Sequence, residues 1–209
     1  GSIASTCSRN VDAGFSIVQY TATGSAGTVG HGLSKAPELI IVKHINDGAT
    51  IWAVFTGDNT NRSRLHTIGT SSDDINAWND TSPTATVFSV GANGGDTNNT
   101  SGGTTLAYCW HSVDGYSKTG GYFGNNSDDG PFVYTGFRPA FLLSKRWGAS
   151  DSWNMIDSAR DTYNAEDDRR YLYADSASDE SIRTYDIDFL SNGFKINDDQ
   201  DDINDSEIY

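Results

Sequence analysis

Short apolar runs alternate along this chain with clusters of Gly, Asn, Asp, Ser and Thr. Leu39-Ile40-Ile41-Val42, Ile51-Trp52-Ala53-Val54-Phe55 and Leu106-Ala107-Tyr108-Cys109-Trp110 are too short for helices. They are rich in β-branched and aromatic residues, as buried strands are. In Phe15 to Tyr20 one row holds Phe15, Ile17 and Gln19 and the other Ser16, Val18 and Tyr20. A strand with such an apolar row needs a second sheet to cover it. Only Ala159 to Tyr173 hints at a helical period, and most of it reads as loop. The pattern predicts an all-β protein, an antiparallel β-sandwich with under about 10% helix. Its expected core is Leu39, Ile41, Phe55, Phe88, Tyr108, Phe141, Leu143, Ile156, Phe189 and Phe194.

The pattern also repeats itself at a spacing of about 100 residues, the mark of an internal duplication. Gly32 to Lys43, a glycine turn, Pro37 and a strand ending in Lys, recurs as Gly136 to Lys145 with Pro139. Ile51 to Phe55 pairs with Ser152 to Ile156, which sets Trp52 against Trp153 as core residues. Phe88-Ser89-Val90 pairs with Phe194-Lys195-Ile196, and Leu106 to Tyr108 is matched to Ile208 onward. We therefore expect an N-terminal extension over 1–13, one β half over 14–118 and a second over 119–209. The second half's last strand is incomplete on this alignment. An edge left open in that way is expected to be closed by chain beyond Tyr209 or by a neighbouring chain, with Gly1 to Asn10 as a donor segment.

Composition narrows the function. Hydrophobic residues are 36% of the chain, but 5 Trp, 10 Tyr and 9 Phe argue against disorder. A net charge of −14 argues against nucleic acid and anionic membrane as partners. The acid is nearly all Asp, with glutamate only at 38, 166, 180 and 207, and Asp suits turns and hard cations alike. Cys7 and Cys109 are too few for a disulfide framework or a zinc site; a free buried Cys109 and a Cys7–Cys109 bridge both stay open.

Several segments resemble a known family. They include Gly27-Thr28-Val29-Gly30-His31-Gly32-Leu33, His111-Ser112-Val113-Asp114-Gly115-Tyr116-Ser117, Gly130-Pro131-Phe132-Val133-Tyr134-Thr135-Gly136-Phe137-Arg138-Pro139-Ala140 and Asp188-Phe189-Leu190-Ser191-Asn192-Gly193-Phe194-Lys195. Together they look like a tandem β domain of marine and cyanobacterial phage virion proteins of tail-fibre type. The resemblance implies a lectin-like sandwich on the virion surface, in contact with other fibre chains, and brings no catalytic residues with it. The chain departs from the family at Trp147, where small polar residues are usual, and in its more acidic Asp198 to Glu207.

Candidate chemistry is sparse. Asp186-Ile187-Asp188 puts two carboxylates on one strand face, but sandwich glucanases carry a Glu-x-Asp-x-x-Glu pattern that is absent here. The histidines, 31, 44, 66 and 111, have no metal spacing, and His31 between two glycines reads as a turn cap bonded to backbone. Asp198, Asp199, Asp201, Asp202 and Asp205 could supply the oxygens of a Ca²⁺ site or form a solvated hairpin tip. Trp147, Trp78 and Tyr163 are the aromatics expected to meet a ligand, with packing against a loop or neighbour as the other reading for Trp147 and Trp78. Asn-x-Ser/Thr matches at Asn61, Asn79, Asn98, Asn99, Asn125 and Asn204 are what chance gives so Asn-rich a chain. The expectation is a non-enzymatic, homo-oligomeric virion-surface module that attaches to a host-surface glycan or protein. A decoration or spacer subunit of a fibre and a polysaccharide-degrading enzyme are the alternatives.

Overall fold

A computed structural model describes residues 1–46, 51–57, 61–65, 72–73, 75–92, 99–160, 164, 169–183 and 187–209. The described residues form two compact units, one of those within Gly1 to Thr119 and the other of those within Gly120 to Tyr209. The fold is mostly β. Among the described strands every pairing is antiparallel, and the described helices are two single turns.

The first unit contains β1 (Ser5–Asn10), β2 (Phe15–Thr21), β3 (Gly27–Gly30), β4 (Leu39–His44), β5 (Trp52–Phe55), β6 (Asn61–Arg64), β7 (Ser72–Asp73), α1 (Ile75–Trp78), β8 (Val87–Val90) and β9 (Thr104–Trp110). Seven of these strands form one sheet in the order β1-β2-β9-β4-β5-β6-β7, and β3 pairs with β8. The last strand, β9, thus inserts between β2 and β4. Its register aligns Val18, Ala107 and Val42 in one row and Ser16, Cys109 and Ile40 in the next. All six are buried. The core they line takes in Val29 of β3, Phe88 and Val90 of β8, and Trp78 of α1. The other face of the sheet carries Phe15 stacked on Trp110 at 4.9 Å, with Tyr108 at 6.3 Å from that indole.

The second unit contains β10 (Phe132–Tyr134), β11 (Phe141–Ser144), β12 (Asn154–Asp157), β13 (Arg169–Tyr173), β14 (Ser181–Arg183), β15 (Ile187–Leu190), β16 (Gly193–Ile196) and α2 (Asp201–Asn204). They form one sheet in the order β10-β16-β15 and another in the order β11-β12-β13-β14. Ile156, Tyr171, Ile187, Phe189, Phe194, Ile196 and Ile203 make its core, with Tyr122, Val133 and Leu142 packed against it. Two registers recur between the units. Val29 faces Phe88 in the first and Val133 faces Phe194 in the second. Lys43 faces Trp52, and the hairpin that pairs Ser144 with Asn154 brings Lys145 and Trp153 next in line.

Part of the expected core is on the wrong face. Ile41, Phe55, Phe88, Ile156, Phe189 and Phe194 are buried, whereas Leu39, Tyr108 and Leu143 are half-buried and Phe141 is 51% exposed. Their neighbours Ile40, Ala107, Cys109 and Leu142 turn inward instead. Successive strand residues point to opposite faces, and a run apolar throughout does not say which face is inner. Trp153 is buried as expected; Trp52 is half-buried, its ring 6.0 Å from the Lys43 ammonium. The segment Gly1 to Asn10 is paired within its own unit, through β1 on β2 and a parallel bridge from Ile3 to Val29.

Candidate ligand-binding site

The loops that present side chains are tied down by two buried asparagines. In the first unit the Asn99 Oδ1 accepts from the Thr23 N–H at 2.9 Å, and its Nδ2 donates to the carbonyls of Ser25 (2.8 Å) and Gly91 (2.7 Å). In the second, the Asn204 Oδ1 accepts from the Asn125 N–H at 2.9 Å, and its Nδ2 faces the Asp198 and Ser127 carbonyls at 2.7 and 2.8 Å and the Asn125 Oδ1 at 3.0 Å. The main chain repeats the arrangement: Gly24 N–H donates to the Asn99 carbonyl, and Asn126 N–H to that of Asn204. Gly24 and Asn126 both sit at positive φ, +73° and +50°, a region that glycine and asparagine tolerate best. Both clamping asparagines begin glycosylation-type matches, yet both are fully buried with their amides engaged.

This clamp accounts for the acidic run. Gln200 precedes α2, and the Asp198 carboxylate accepts the Gln200 N–H at 2.9 Å. Burial pushes the Asp198 carboxyl above its usual value; that N–H works against the shift, and the negative Asp199 and Asp128 add to it. Asp199 accepts from the Gln200 side chain. The carbonyls of Asp201 and Asp202 receive the Tyr209 hydroxyl and the Asn154 amide. Asp205 pairs with the Arg146 guanidinium, which also reaches Asp151 at 3.4 Å and Glu207 at 3.6 Å. Among the described residues no three His, Cys, Asp or Glu side chains converge as metal ligands. Of the five aspartates expected as Ca²⁺ ligands, the carboxylates of Asp198, Asp199 and Asp205 meet the Gln200 N–H, the Gln200 amide and the Arg146 guanidinium. Asp129 pairs with Lys195 at 2.5 Å, and Asp188 accepts from Asn197 at 3.1 Å. Asp186 lies outside the described residues, so the expected carboxylate pair has only one described member.

Arg146 carries Trp147 with it. The Trp147 N–H donates to the Ile208 carbonyl at 2.8 Å, while Ile208 bridges Phe123 on its other side. Directly opposed residues on adjacent strands share a face. Phe123 and Ile208 thus share one face, 63% and 54% exposed, and the half-buried Trp147 follows in the bend after β11. Glu207 and Asp205 pair with Arg146, and the Lys145 ammonium donates to the Asp151 carbonyl. Burial lowers the Lys145 pKa against the pull of Asp151 and Asp175. On the opposite face Tyr122 and Tyr209 stack at 4.9 Å, and burial raises both phenols. In the first unit the matching pair is Thr21 facing Thr104, with the Ile45 N–H on the Thr104 carbonyl.

The other sequence candidates divide. Trp78 is not a loop aromatic: it is buried in α1, edge-on to Phe55 at 5.5 Å, because the helical turn rotates it away from its polar neighbours. Tyr163 lies outside the described residues. His31 caps its turn, with Nδ1 accepting the Leu33 N–H at 3.1 Å and Nε2 donating to the Thr84 carbonyl at 3.1 Å. Burial lowers its pKa, opposed by the Thr84 bond and assisted by His111. Cys7 and Cys109 are free thiols, and burial pushes Cys109 up to about 12. The sequence reading named Trp147 but not Phe123 or Ile208, which only their pairing brings together.

The fold and this exposed pair define an antiparallel, mostly β protein that exposes aromatic and aliphatic side chains on a loop-and-strand surface. It belongs to the family of the domain of unknown function DUF7483, whose model matches residues 1–209. No match was found among curated proteins or among solved structures.

Proposed function

We propose that the chain is a non-catalytic attachment module that holds a cell-surface glycan on Phe123 and Ile208, with Trp147 beside them. The exposed pairing of Phe123 with Ile208 is the observation that carries the reading. Aromatic faces stack on the apolar faces of sugar rings, and neighbouring carboxylates accept hydroxyl protons. Here Glu207 and Asp205 are the carboxylates in place. Two β-sandwiches related by duplication are the architecture we infer beneath it. The recurring asparagine clamps and strand registers support that duplication. The resemblance to phage virion modules supports a place on the virion surface. A fibre spacer is the second reading, favoured by the exposed Phe132, Tyr134 and Phe141 on β10 and β11.

A bacterial and mammalian glycan array probed with the labelled chain tests the proposal. Binding to at least one glycan class is expected, lost in Trp147→Ala with an unchanged thermal midpoint. No binding across the array, or binding indifferent to Trp147→Ala, overturns it. Release of reducing sugar from a bound polysaccharide would support the enzyme reading instead.

A further inference from the structure

In the first unit β1 is fastened along two lines. One is its ladder with β2, Ser5 to Asn10 against Tyr20 to Phe15. The other runs from its side chains to the turn that follows β3. The Ser5 hydroxyl donates to the Gly30 carbonyl at 2.9 Å, and the Cys7 thiol donates to the same oxygen at 3.3 Å. The Arg9 guanidinium donates to the Gly32 carbonyl at 2.8 Å. Gly32 sits at φ +74°, and a Cβ there would lie 3.2 Å from both the Cys7 Cβ and the Arg9 Cδ. The turn must keep one shape for β1 to lie against it.

His31, between those two glycines, sets that shape. It is fully buried. The Leu33 N–H is a donor, so the His31 Nδ1 that receives it is bare; Nε2 carries the ring proton and gives it to the Thr84 carbonyl. A second proton, on Nδ1, would set N–H against N–H and break the bond to Leu33. It would also bury a cation, and the surroundings supply no counter-charge to it among the described residues. β1 brings Arg9, already cationic, and Cys7. The loop before β8 brings Thr84 and Thr86, which do not titrate. The chain after β9 brings His111, 4% exposed, whose Nδ1 donates to the Ser112 carbonyl at 2.9 Å and whose buried Nε2 has no partner. Glu38, bonded to the next residue, is already engaged by the Ser112 N–H at 2.9 Å and by the Ser112 hydroxyl.

We infer that this turn is an acid-opened catch on the N-terminal strand: a proton taken up by His31 breaks the Leu33 bond, swings the Gly30 and Gly32 carbonyls away from Ser5, Cys7 and Arg9, and frees β1 while the rest of the sheet stays paired. Local release is favoured by position. β1 is the end strand of its sheet, with Thr6, Ser8, Arg9 and Asn10 exposed, whereas β9 lies between β2 and β4. The sign follows from linkage. Burial resists the proton in the closed form, and in the open form His31 takes it up near its ordinary 6.5, so the catch is shut above that pH and opens as the pH falls below it. Released, β1 leaves the β2 edge from Phe15 to Tyr20 unpaired. Glycan binding plays no part in this device.

Thiol reactivity of the full chain at pH 7 and pH 5 tests this, with 4,4′-dithiodipyridine as the probe and each rate normalised to free glutathione at the same pH. Cys7 is expected to react about tenfold faster or more at pH 5, while buried Cys109 stays protected; mass spectrometry assigns the sites. Hydrogen exchange, scaled for the intrinsic effect of pH, should quicken in residues 1–14 and 27–35 and not in β9. His31→Asn keeps an acceptor for the Leu33 N–H but takes up no proton, so both responses should vanish in it. Should that variant fail to fold, histidine-ring NMR of the unaltered chain carries the test: a buried ring must titrate over the interval in which Cys7 opens. A Cys7 rate indifferent to pH overturns the inference, as does the absence of such a ring. So does an acid response that survives in His31→Asn, or Cys109 reacting in step with Cys7, which would mean the whole unit unfolding.

Discussion

Replacing Asn204 by Asp changes no volume and leaves the carbonyl-like oxygen that accepts the Asn125 N–H. It removes both amide hydrogens from a site where three oxygens lie within 3.0 Å of Nδ2, those of Asp198, Ser127 and Asn125. An amide has two hydrogens, so two of these oxygens are satisfied fully or all three are satisfied by sharing. Each net bond contributes about 1 kcal/mol, and each buried carbonyl left without a donor costs a further 1–3 kcal/mol or so. With two bonds lost and two oxygens stranded, the sum is roughly 4–8 kcal/mol, a large fraction of the 5–15 kcal/mol or so of a typical domain. Because the fully buried aspartate would hold its proton more tightly folded than unfolded, part of the loss should return as the pH falls. Urea unfolding followed by far-UV circular dichroism gives the loss, and hydrogen exchange by peptide locates it in residues 120–209. Asn99→Asp should do the same to residues 1–119, since it strips the donors from Ser25 and Gly91. A loss below about 1 kcal/mol for Asn204→Asp, the size of an ordinary surface change, would refute the clamp.

His31 has a folded pKa below the ordinary 6.5, so stability is present above that value and is lost as the pH falls from 6.5 toward the folded value. His31→Ala should remove that slope in a pH series of unfolding midpoints, along with about 1–3 kcal/mol from two lost backbone bonds. Burial pushes the Asp157 carboxyl up, but the N–H groups of Arg160 and Ala159 and the Arg160 guanidinium outweigh it and hold it below 3.8. Its stabilisation is present above about pH 4 and is lost as the pH falls through the folded value; Asp157→Asn should cost about 1–2 kcal/mol at pH 7 and flatten the acid limb. Cys109, buried and pushed up to about 12, should resist iodoacetamide at pH 8 until urea unfolds the first unit, read by mass spectrometry of the labelled peptide.

The strands were legible because their apolar runs end at glycines, asparagines and prolines. Face parity was not legible in Leu39-Ile40-Ile41-Val42 or Phe141-Leu142-Leu143, where every position is apolar and only the neighbouring strands decide which row is covered. Tyr122 exchanges bonds with Tyr209 as Tyr20 pairs with Thr105, a correspondence that no local pattern near Glu207 announced. Trp78 looked exposed among Asn76, Asn79 and Asp80. In the structure α1 turns it inside, and Asn79 and Asp80 at φ +53° and +45° end the helix directly after it. The asparagine clamps were hidden for a different reason. In loops crowded with Asn, nothing local separates the one amide that is buried from the many that are solvated.

The two groups across the strand ends, Thr21–Thr104–Ile45 and Phe123–Ile208–Trp147, are held by main-chain bonds that do not depend on which side chains they carry. Their positions behave like sockets: the backbone fixes spacing and direction, and the occupants can be exchanged at little structural cost. A chain with two such sockets can keep one plain and let the other vary freely. For a molecule facing a changing counterpart, that separates the rate at which its surface diversifies from the rate at which its scaffold can tolerate change.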